Sequence, residues 1–423
     1  MTCGQLILYS LLAIPLAFVE LPLFVNLPKF YAETGMNLAT IGYVLLGVRA
    51  LDAFKDPVLG YVADYFYQGP QSRFRMIGLF VPFLAIAFYF LWNPPSGTPS
   101  IFWFAPTLFG VHFADSAMII SYHSLGAELA SGYHTRTQVT AFRESFRILG
   151  LLLAAVIPSL LVNISGREQG FQQFSLLFII VLGISYFFFL NAQPAKPFMG
   201  YVREKLRFQD VKVALQDRDF LWIAGIHMLN VFAFSCPTTL FAFVVADIIR
   251  APSQEGLFLA SYFISGIGGM VLWNWVSQRL GKRQAFLWAL FLSIGVFTVG
   301  ILIKPHMVLS FYGICFLGGL SFGADLALPP SILADVISRQ THMSKTPSGV
   351  YFGIWNITAK FSTALAPGLI FPILSHMGYE KGVTNTASLF YLLVAFTLLP
   401  ASLKFLTMVM LRVSPLEKKA PFL

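Results

Sequence analysis

The stretch AQPAKPFMGYVREKLRFQDVKVALQDR, residues 192–218, is the one long polar segment of a 423-residue chain in which 57% of residues are hydrophobic. Six basic residues are concentrated in it: Lys196, Arg203, Lys205, Arg207, Lys212 and Arg218. On both sides the chain is a succession of apolar windows, each of about 20 residues, which is the length needed to cross a bilayer as a helix. We therefore predict that residues 192–218 link two membrane-embedded halves, residues 1–191 and 219–423.

Six apolar windows precede this linker and six follow it. Their approximate limits are 6–31, 38–66, 76–93, 100–128, 141–164 and 172–191, then 219–249, 254–279, 285–303, 307–337, 347–375 and 386–412. This pattern predicts an all-α polytopic membrane protein with twelve transmembrane helices in two six-helix bundles.

The composition excludes the main alternatives to a membrane protein. Charged residues make up 11% of the chain, less than half the usual share of about 25% in soluble proteins. The mean hydropathy is +0.73, so an apolar surface solvated by lipid is expected. The three cysteines, Cys3, Cys236 and Cys315, are odd in number and far apart, which predicts packing residues rather than disulfides or metal ligands.

Positive charge is distributed unevenly between alternate loops. With an even number of spans both termini lie on one side of the membrane, and eighteen of the 28 Lys and Arg residues fall on that side, against five on the other. Because basic loops stay in the cytoplasm, both termini are predicted to be cytoplasmic. The net charge of +9 then needs no nucleic-acid partner to explain it. The first apolar segment lacks a basic n-region, so we expect it to remain as a helix.

The second span carries the densest group of charges, in the run Arg49-Ala-Leu-Asp52-Ala-Phe-Lys55-Asp56-Pro57. On a helix these four charges share one arc of roughly 120°. A charge at mid-bilayer costs about 2.5 to 3.5 kcal/mol, so this face is expected to look into the protein. Asp52 and Asp56 form either a cation or proton site or a structural ion-pair cluster. We favour the first, because a structural cluster would give little net stability.

Isolated charges in other spans are weaker candidates for function. They are Glu20 in the first span, Asp115 in the fourth, Asp325 in the tenth and Lys360 in the eleventh. Each would have to face a protein interior or a wet cavity.

Several motifs resemble known transporter signatures. Gly60-Tyr-Val-Ala-Asp64, followed by Arg73 and Arg75, is similar to the loop signature of the major facilitator superfamily. The run from Arg49 to Pro57 resembles the span-two motif of the glycoside-pentoside-hexuronide:cation symporters, the melibiose permease group. Segments from both halves also resemble that group: Ser124 to Glu128 with Arg136, Arg143 and Glu144; Pro330 to Asp335 and the residues after it; and Gly349 to Trp355 followed by Lys360.

The resemblance implies roles for individual residues. The coupling cation would bind at Asp52 and Asp56, with Arg49, Lys55 and Lys360 supplying competing positive charge. Asp115 would lie where the substrate and cation sites meet. Gly60, Asp64, Arg73 and Arg75 would brace a cytoplasmic gate. Further candidates for substrate contact are Glu20, Tyr122, Arg143, Asp325 and Trp355.

Two departures from the group's pattern shape the functional prediction. A neutral polar residue normally precedes the second aspartate in sodium-using members, and Lys55 stands there instead. An ammonium beside the carboxylates takes the place of a metal ion, which favours H⁺ over Na⁺. The span-one acid that binds sugar hydroxyls in melibiose permease would fall at about Leu16, and Glu20 lies one turn away.

The sequence therefore predicts a proton-coupled symporter of a small organic solute in the plasma membrane, the inner membrane of a bacterium. A sodium-coupled sugar symporter, a carrier of an amphipathic, lipid-like or metal-chelating solute, and a transport-inactive receptor or scaffold are the alternatives. We expect no enzymatic activity, no cofactor and no resident metal. The expected partners are the solute and the lipid bilayer, and the chain is expected to be monomeric.

Overall fold

The computed structural model describes residues 3–66, 70–95, 97, 99–129, 133–192, 208–344, 348–379 and 385–416, and every regular element in these ranges is a helix. The helices of the first half are α1 (Cys3–Ser10), α2 (Ala13–Glu33), α3 (Leu38–Phe66), α4 (Pro70–Trp92), α5 (Ile101–Leu129), α6 (Tyr133–Ser165) and α7 (Arg167–Leu190). Helix α8 (Phe208–Gln216) lies within the predicted linker, and α9 (Arg218–Phe243) begins at its last residue. The remaining helices of the second half are α10 (Glu255–Leu280), α11 (Lys282–Gly300), α12 (Val308–Ser344), α13 (Ser348–His376) and α14 (Thr386–Val413). A π-helical turn, Val244–Ile249, extends α9, and a short 3₁₀ turn, Pro252–Gln254, precedes α10.

These helices confirm the predicted spans. Within the described ranges, eleven helical segments are long and apolar enough to cross a membrane. The second predicted span is α3, which has 29 residues but carries four charges near its middle. The chain is thus an integral membrane protein, and one of its helices, α3, carries the charged run.

The first span, Gly4–Glu33, is present as predicted and contains a short turn between α1 and α2. A break separates α1 from α2 because Pro15 has no N–H to donate to the carbonyl of Leu11, four residues earlier. That carbonyl accepts instead from the amide of Ile14, at 3.2 Å, which tightens the chain into a turn. Pro22 and Pro28, by contrast, lie inside a continuous α2.

The chain divides into two compact units. Unit 1 consists of Met1–Met36 and Ala50–Val202, and unit 2 of Asn37–Arg49 and Arg203–Leu423. The division falls within α3, whose first turns belong to unit 2 and whose charged turns after Arg49 belong to unit 1.

Aromatic side chains form much of the core of unit 1. Trp92 on α4 stacks on Phe171 of α7 with ring centroids 4.6 Å apart. Phe88, one turn earlier on α4, lies 4.0 Å from the ring of Phe178. These rings are almost fully buried, so part of the phenylalanine content of the chain is used to pack α4 against α7.

In unit 2, α10 and α12 cross closely at glycines. A Cβ added at Gly319 would lie 2.1 Å from the carbonyl oxygen of Tyr262, and one at Gly323 would lie 2.4 Å from the amide nitrogen of Met270. Trp273 reinforces the crossing by donating its indole N–H to the carbonyl of Leu320, at 2.9 Å. Small residues at membrane helix crossings permit this approach of two backbones.

Charged side chains cap the ends of helices in unit 2. The Asp217 carboxylate accepts hydrogen bonds from the amides of Asp219 and Phe220 and so caps the N-terminus of α9. At the C-terminus of α14 the Arg283 guanidinium donates to the carbonyls of Leu411 and Arg412, at 3.0 and 2.7 Å. Basic groups are favourable there because unpaired carbonyls carry partial negative charge.

Candidate functional site

The charged turns of α3 form a compact ionic group in unit 1. The ammonium of Lys55 lies 2.5 Å from Oδ1 of Asp52 and 3.4 Å from Oδ1 of Asp56. The side chain of Asp52 is 3% exposed, that of Lys55 12% and that of Asp56 25%. One cation thus bridges two carboxylates, of which Asp56 is the more accessible.

Helix α5 completes this ionic group. Lys55 also donates to the carbonyl oxygen of His112, at 3.1 Å, and its ammonium lies 5.7 Å from the centre of the Phe113 ring. The hydroxyl of Ser116 donates to Oδ1 of Asp52, at 3.3 Å. Sequence reasoning did not identify these α5 contacts. The available signal was the spacing of positions 112, 113 and 116, which share one face of a helix.

The charge balance of this group is the source of its chemistry. The two carboxylates and the Lys55 ammonium sum to a charge of −1, and Arg49, buried three residues before Asp52, carries a further positive charge on the same helix. Protonation of either carboxylate changes this balance by one charge, which is costly in a protein interior unless it is compensated. Within the described ranges, no three His, Cys, Asp or Glu side chains are grouped so as to hold a metal ion.

For the other two predicted coupling residues, Arg49 and Lys360, the structure gives their position and burial. Arg49, three residues before Asp52 on α3, is buried. Lys360 is half-buried on α13, in unit 2. Their roles in coupling stay predictions.

A second ionic network in unit 1 contains two of the predicted substrate residues. Arg147 of α6 donates through Nη1 to Glu20 of α2, at 3.0 Å, and through Nε to Glu144, at 2.9 Å. Glu144 in turn accepts from Nε and Nη2 of Arg143, at 3.2 and 3.0 Å. The network thus joins Glu20 and Arg143 through Glu144, which the sequence motifs contained, and Arg147, which they did not.

Unit 2 contains a third ionic group, which sequence reasoning did not assemble. Lys404 of α14 donates to Oδ2 of Asp325 on α12, at 2.5 Å, and to Oδ1 of Asn230 on α9, at 2.7 Å. The amide of Asn230 donates to Oδ1 of Asp325, at 3.0 Å. Both oxygens of Asp325, a predicted substrate residue, are therefore engaged in a triangle within unit 2.

Tyr122 and Trp355 are buried in packing contacts. Tyr122 stacks on Tyr9 with ring centroids 4.6 Å apart, and each hydroxyl donates to the other residue's carbonyl oxygen. Trp355 stacks on His227 with ring centroids 3.6 Å apart. Both side chains are almost fully buried, so neither offers much surface to a solute in this arrangement. Asp115 is half-buried on α5, one residue before Ser116.

The predicted cytoplasmic gate is described in part. Arg73, near the start of α4, is buried, and Arg75 is exposed. Gly60 and Asp64 lie on α3, but their side-chain environments fall outside the described residues. The bracing of a gate by Asp64 stays a prediction.

Comparison with known proteins defines the family. The model of the MFS/sugar transport protein family matches residues 8–418, so the chain belongs to that family of the major facilitator superfamily. The uncharacterized symporter YnaJ of Bacillus subtilis (strain 168) is 24% identical over 410 residues, covering 92% of this chain and 87% of its own length. The sodium-dependent lysophosphatidylcholine symporter 1-B of Danio rerio is 20% identical over 385 residues, with coverage of 81% and 73%.

A solved structure agrees on the fold. The crystal structure of the nucleoside transporter NupG has a TM-score of 0.71 and is 15% identical, covering 98% of this chain and all of that one. The architecture is therefore that of the major facilitator superfamily, and the chain is a secondary transporter rather than an enzyme. Such a transporter binds its small substrate within the bilayer.

Proposed function

We propose that the chain is a proton-coupled symporter of a small organic solute and that it works by alternating access. The observation that supports this proposal most strongly is the position of the Lys55 ammonium, between the carboxylates of Asp52 and Asp56. These three side chains form the proposed coupling group.

The charges of the coupling group favour a proton over a sodium ion. Carboxylates that hold a metal ion must direct their oxygens at a common point and receive no other cation there. Lys55 already donates to Asp52 and Asp56, so it performs the neutralising role that a sodium ion would perform. One protonation step at one carboxylate then changes the charge of the coupling group by one.

Asp56 is the proposed site of proton exchange. Its side chain is 25% exposed, whereas that of Asp52 is 3% exposed and accepts from both Lys55 and Ser116. The contact from Lys55 to Asp56 is also longer, at 3.4 Å against 2.5 Å. A proton on Asp56 therefore disturbs the group less than one on Asp52.

Coupling follows if protonation has a different free energy in the inward-facing and outward-facing states. With Asp56 protonated, Lys55 is balanced by Asp52 alone and the group is neutral. With Asp56 ionised, the group carries a net negative charge. If the inward-facing and outward-facing states differ in the hydration of α3, protonation of Asp56 favours one state and its ionisation favours the other. Arg49 and Lys360 are the proposed sources of compensating charge.

The experiment is uptake into proteoliposomes containing the purified chain. A solute is first found by a thermal-shift screen of sugars, lysolipids, small peptides and metal-chelating metabolites. We expect a gradient with an acidic exterior to drive uphill uptake and an inward sodium gradient to fail. Asp56→Asn should abolish uphill uptake but keep solute exchange, whereas Glu168→Gln, at an exposed acid on α7, should leave both unchanged. Uphill uptake by Asp56→Asn would disprove the assignment.

Sodium coupling is the second candidate, favoured by the name of the Danio rerio relative, which is sodium-dependent. Strict dependence of uptake on sodium at constant pH would establish it and would remove the proposed role of Lys55. Concentrative uptake of any solute would in turn exclude a transport-inactive receptor.

The proposed location is the plasma membrane, with both termini in the cytoplasm, and the proposed state is a monomer. The basis for the proposed orientation is the concentration of Lys and Arg on the side of the termini. Labelling of cysteines introduced at the C-terminus by an impermeant reagent would test the orientation, and reaction in intact cells would contradict it.

A further inference from the structure

One acidic residue is exposed on an otherwise protein-surrounded helix. Within α2, all of whose residues are described, Glu20 is the one exposed position, and its side chain is 52% exposed. Its neighbours Val19 and Leu21 are 1% and 5% exposed. A carboxylate at mid-span avoids lipid because of its desolvation cost. Glu20 therefore faces a hydrated opening rather than hydrocarbon.

Arg147, the ion-pair partner of Glu20, is held in place by Glu144 and Arg143. Nε of Arg147 donates to Glu144, which is fixed in turn by two hydrogen bonds from Arg143. The exposed end of the network is thus the contact between Nη1 of Arg147 and Oε2 of Glu20. Among the described residues, Arg147 is the one hydrogen-bond partner of Glu20, so its second oxygen is available. Two cations and two anions make the whole network neutral.

A ligand with suitable charges can separate Arg147 from Glu20 at this end of the network. An ion pair with one partner 36% and the other 52% exposed contributes little free energy, so separating it costs little. A ligand that inserts between the two groups must replace both charges. An amine alone would leave the Nη1 end of Arg147 unpaired, with Glu144 as its remaining anion, and an acid alone would leave Glu20 without its cation. A neutral polyol would compensate neither.

We infer that the Glu20–Arg147 pair recognises a zwitterionic solute, whose protonated amine binds Glu20 and whose carboxylate or phosphate binds Arg147. This inference rests on the proposed function, because it names the substrate class of the symporter. Arginine suits the anionic end, since its planar guanidinium presents parallel donors to a carboxylate or phosphate. With a carboxylate as the anionic group the site stays neutral with the ligand bound, whereas a phosphate monoester adds part of a negative charge.

The test is a thermal-shift measurement on the full chain in detergent, with no ion gradient. The zwitterionic probes are L-serine, 4-aminobutyrate and phosphoethanolamine. Ethanolamine, propionate, inorganic phosphate and melibiose serve as the amine-only, acid-only and neutral controls. We expect at least one zwitterion to raise the melting temperature with a saturating concentration dependence, and the four controls to have no such effect. If a carboxylate probe raises the melting temperature, the anionic group recognised is a carboxylate, and if phosphoethanolamine does so, it is a phosphate.

Variants assign the effect to the pair. Glu20→Gln and Arg147→Gln should each abolish the stabilisation, Arg147→Lys should retain part of it, and Glu168→Gln should retain all of it. Size-exclusion profiles check that each variant is folded. Should both Gln variants misfold, Arg147→Lys alone suffices, since a binding curve identical to that of the unmodified chain would overturn the inference.

The outcomes separate this inference from the proposed function. Stabilisation by melibiose alone, by a single-charge control, or by no probe in the panel would overturn the zwitterion inference, and proton-driven uptake of another solute would still support the symporter. Stabilisation by a zwitterion without uphill uptake would support the binding site and remove the proposed function.

Discussion

Lys55 and Asp52 lie three residues apart on α3, and the ammonium of Lys55 is 2.5 Å from Oδ1 of Asp52. Their side chains are 12% and 3% exposed, so both charges are largely removed from water. A buried ion pair of this kind is held by mutual compensation, and removing one member leaves the other uncompensated. The stability of the chain should therefore depend on the two residues jointly.

Replacing Lys55 with Met should destabilise the protein, because Asp52 would remain charged and buried. Removal of one partner of a buried pair typically costs about 3 to 5 kcal/mol. Adding Asp52→Asn to the Lys55→Met variant should restore most of the loss. A double-mutant cycle of thermal stability in detergent measures this coupling. Losses that simply add would show that the two residues are not paired in the folded protein.

The pair of Lys404 and Asp325 should behave as a structural group of unit 2. Their side chains are 2% and 11% exposed, and both also bond Asn230. Lys404→Met should therefore cost about 3 to 5 kcal/mol, largely recovered in Lys404→Met/Asp325→Asn. The recovered double variant should retain uphill uptake. Loss of uptake from a stable double variant would instead give Asp325 the substrate role predicted from sequence.

The crossing of α10 and α12 should be sensitive to a single methyl group. Gly323→Ala places a Cβ within 2.4 Å of the backbone of α10 and should cost about 1 to 3 kcal/mol through overpacking. Gly268→Ala is the matched control, since a Cβ there has no neighbour within 4 Å among the described residues. Melting temperatures of the two variants give the comparison. Equal effects would contradict the close crossing.

Much of the fold was predictable because each spanning helix is encoded locally. A run of about 20 apolar residues is sufficient to identify a span, and α3 was recognisable in spite of its charges. The four charges from Arg49 to Asp56 share one helical face, so the internal contacts of the coupling group follow from helical spacing. The break after α1 was missed because Pro22 and Pro28 do not interrupt α2, and sequence alone does not distinguish Pro15 from them.

The pairings between helices were not predictable in the same way. Glu20 and Arg147 are 127 residues apart, and Asp325 and Lys404 are 79 residues apart. Their meeting depends on how α2 packs on α6 and on how α9 packs against both α12 and α14, which has no local signature in the sequence. Ser116 was missed for the same reason, since its role depends on the packing of α5 against α3.

The most direct test of the proposed coupling group is a comparison of thermal stability in sodium and potassium chloride at equal ionic strength, without solute. Lys55 donates to both carboxylates, so we expect the unmodified chain to melt at the same temperature in both salts. Lys55→Ser removes the ammonium from Asp52 and Asp56 and should gain stabilisation by sodium alone. Saturable, sodium-specific stabilisation of the unmodified chain would contradict the replacement of sodium by Lys55 and, with it, proton coupling at Asp56.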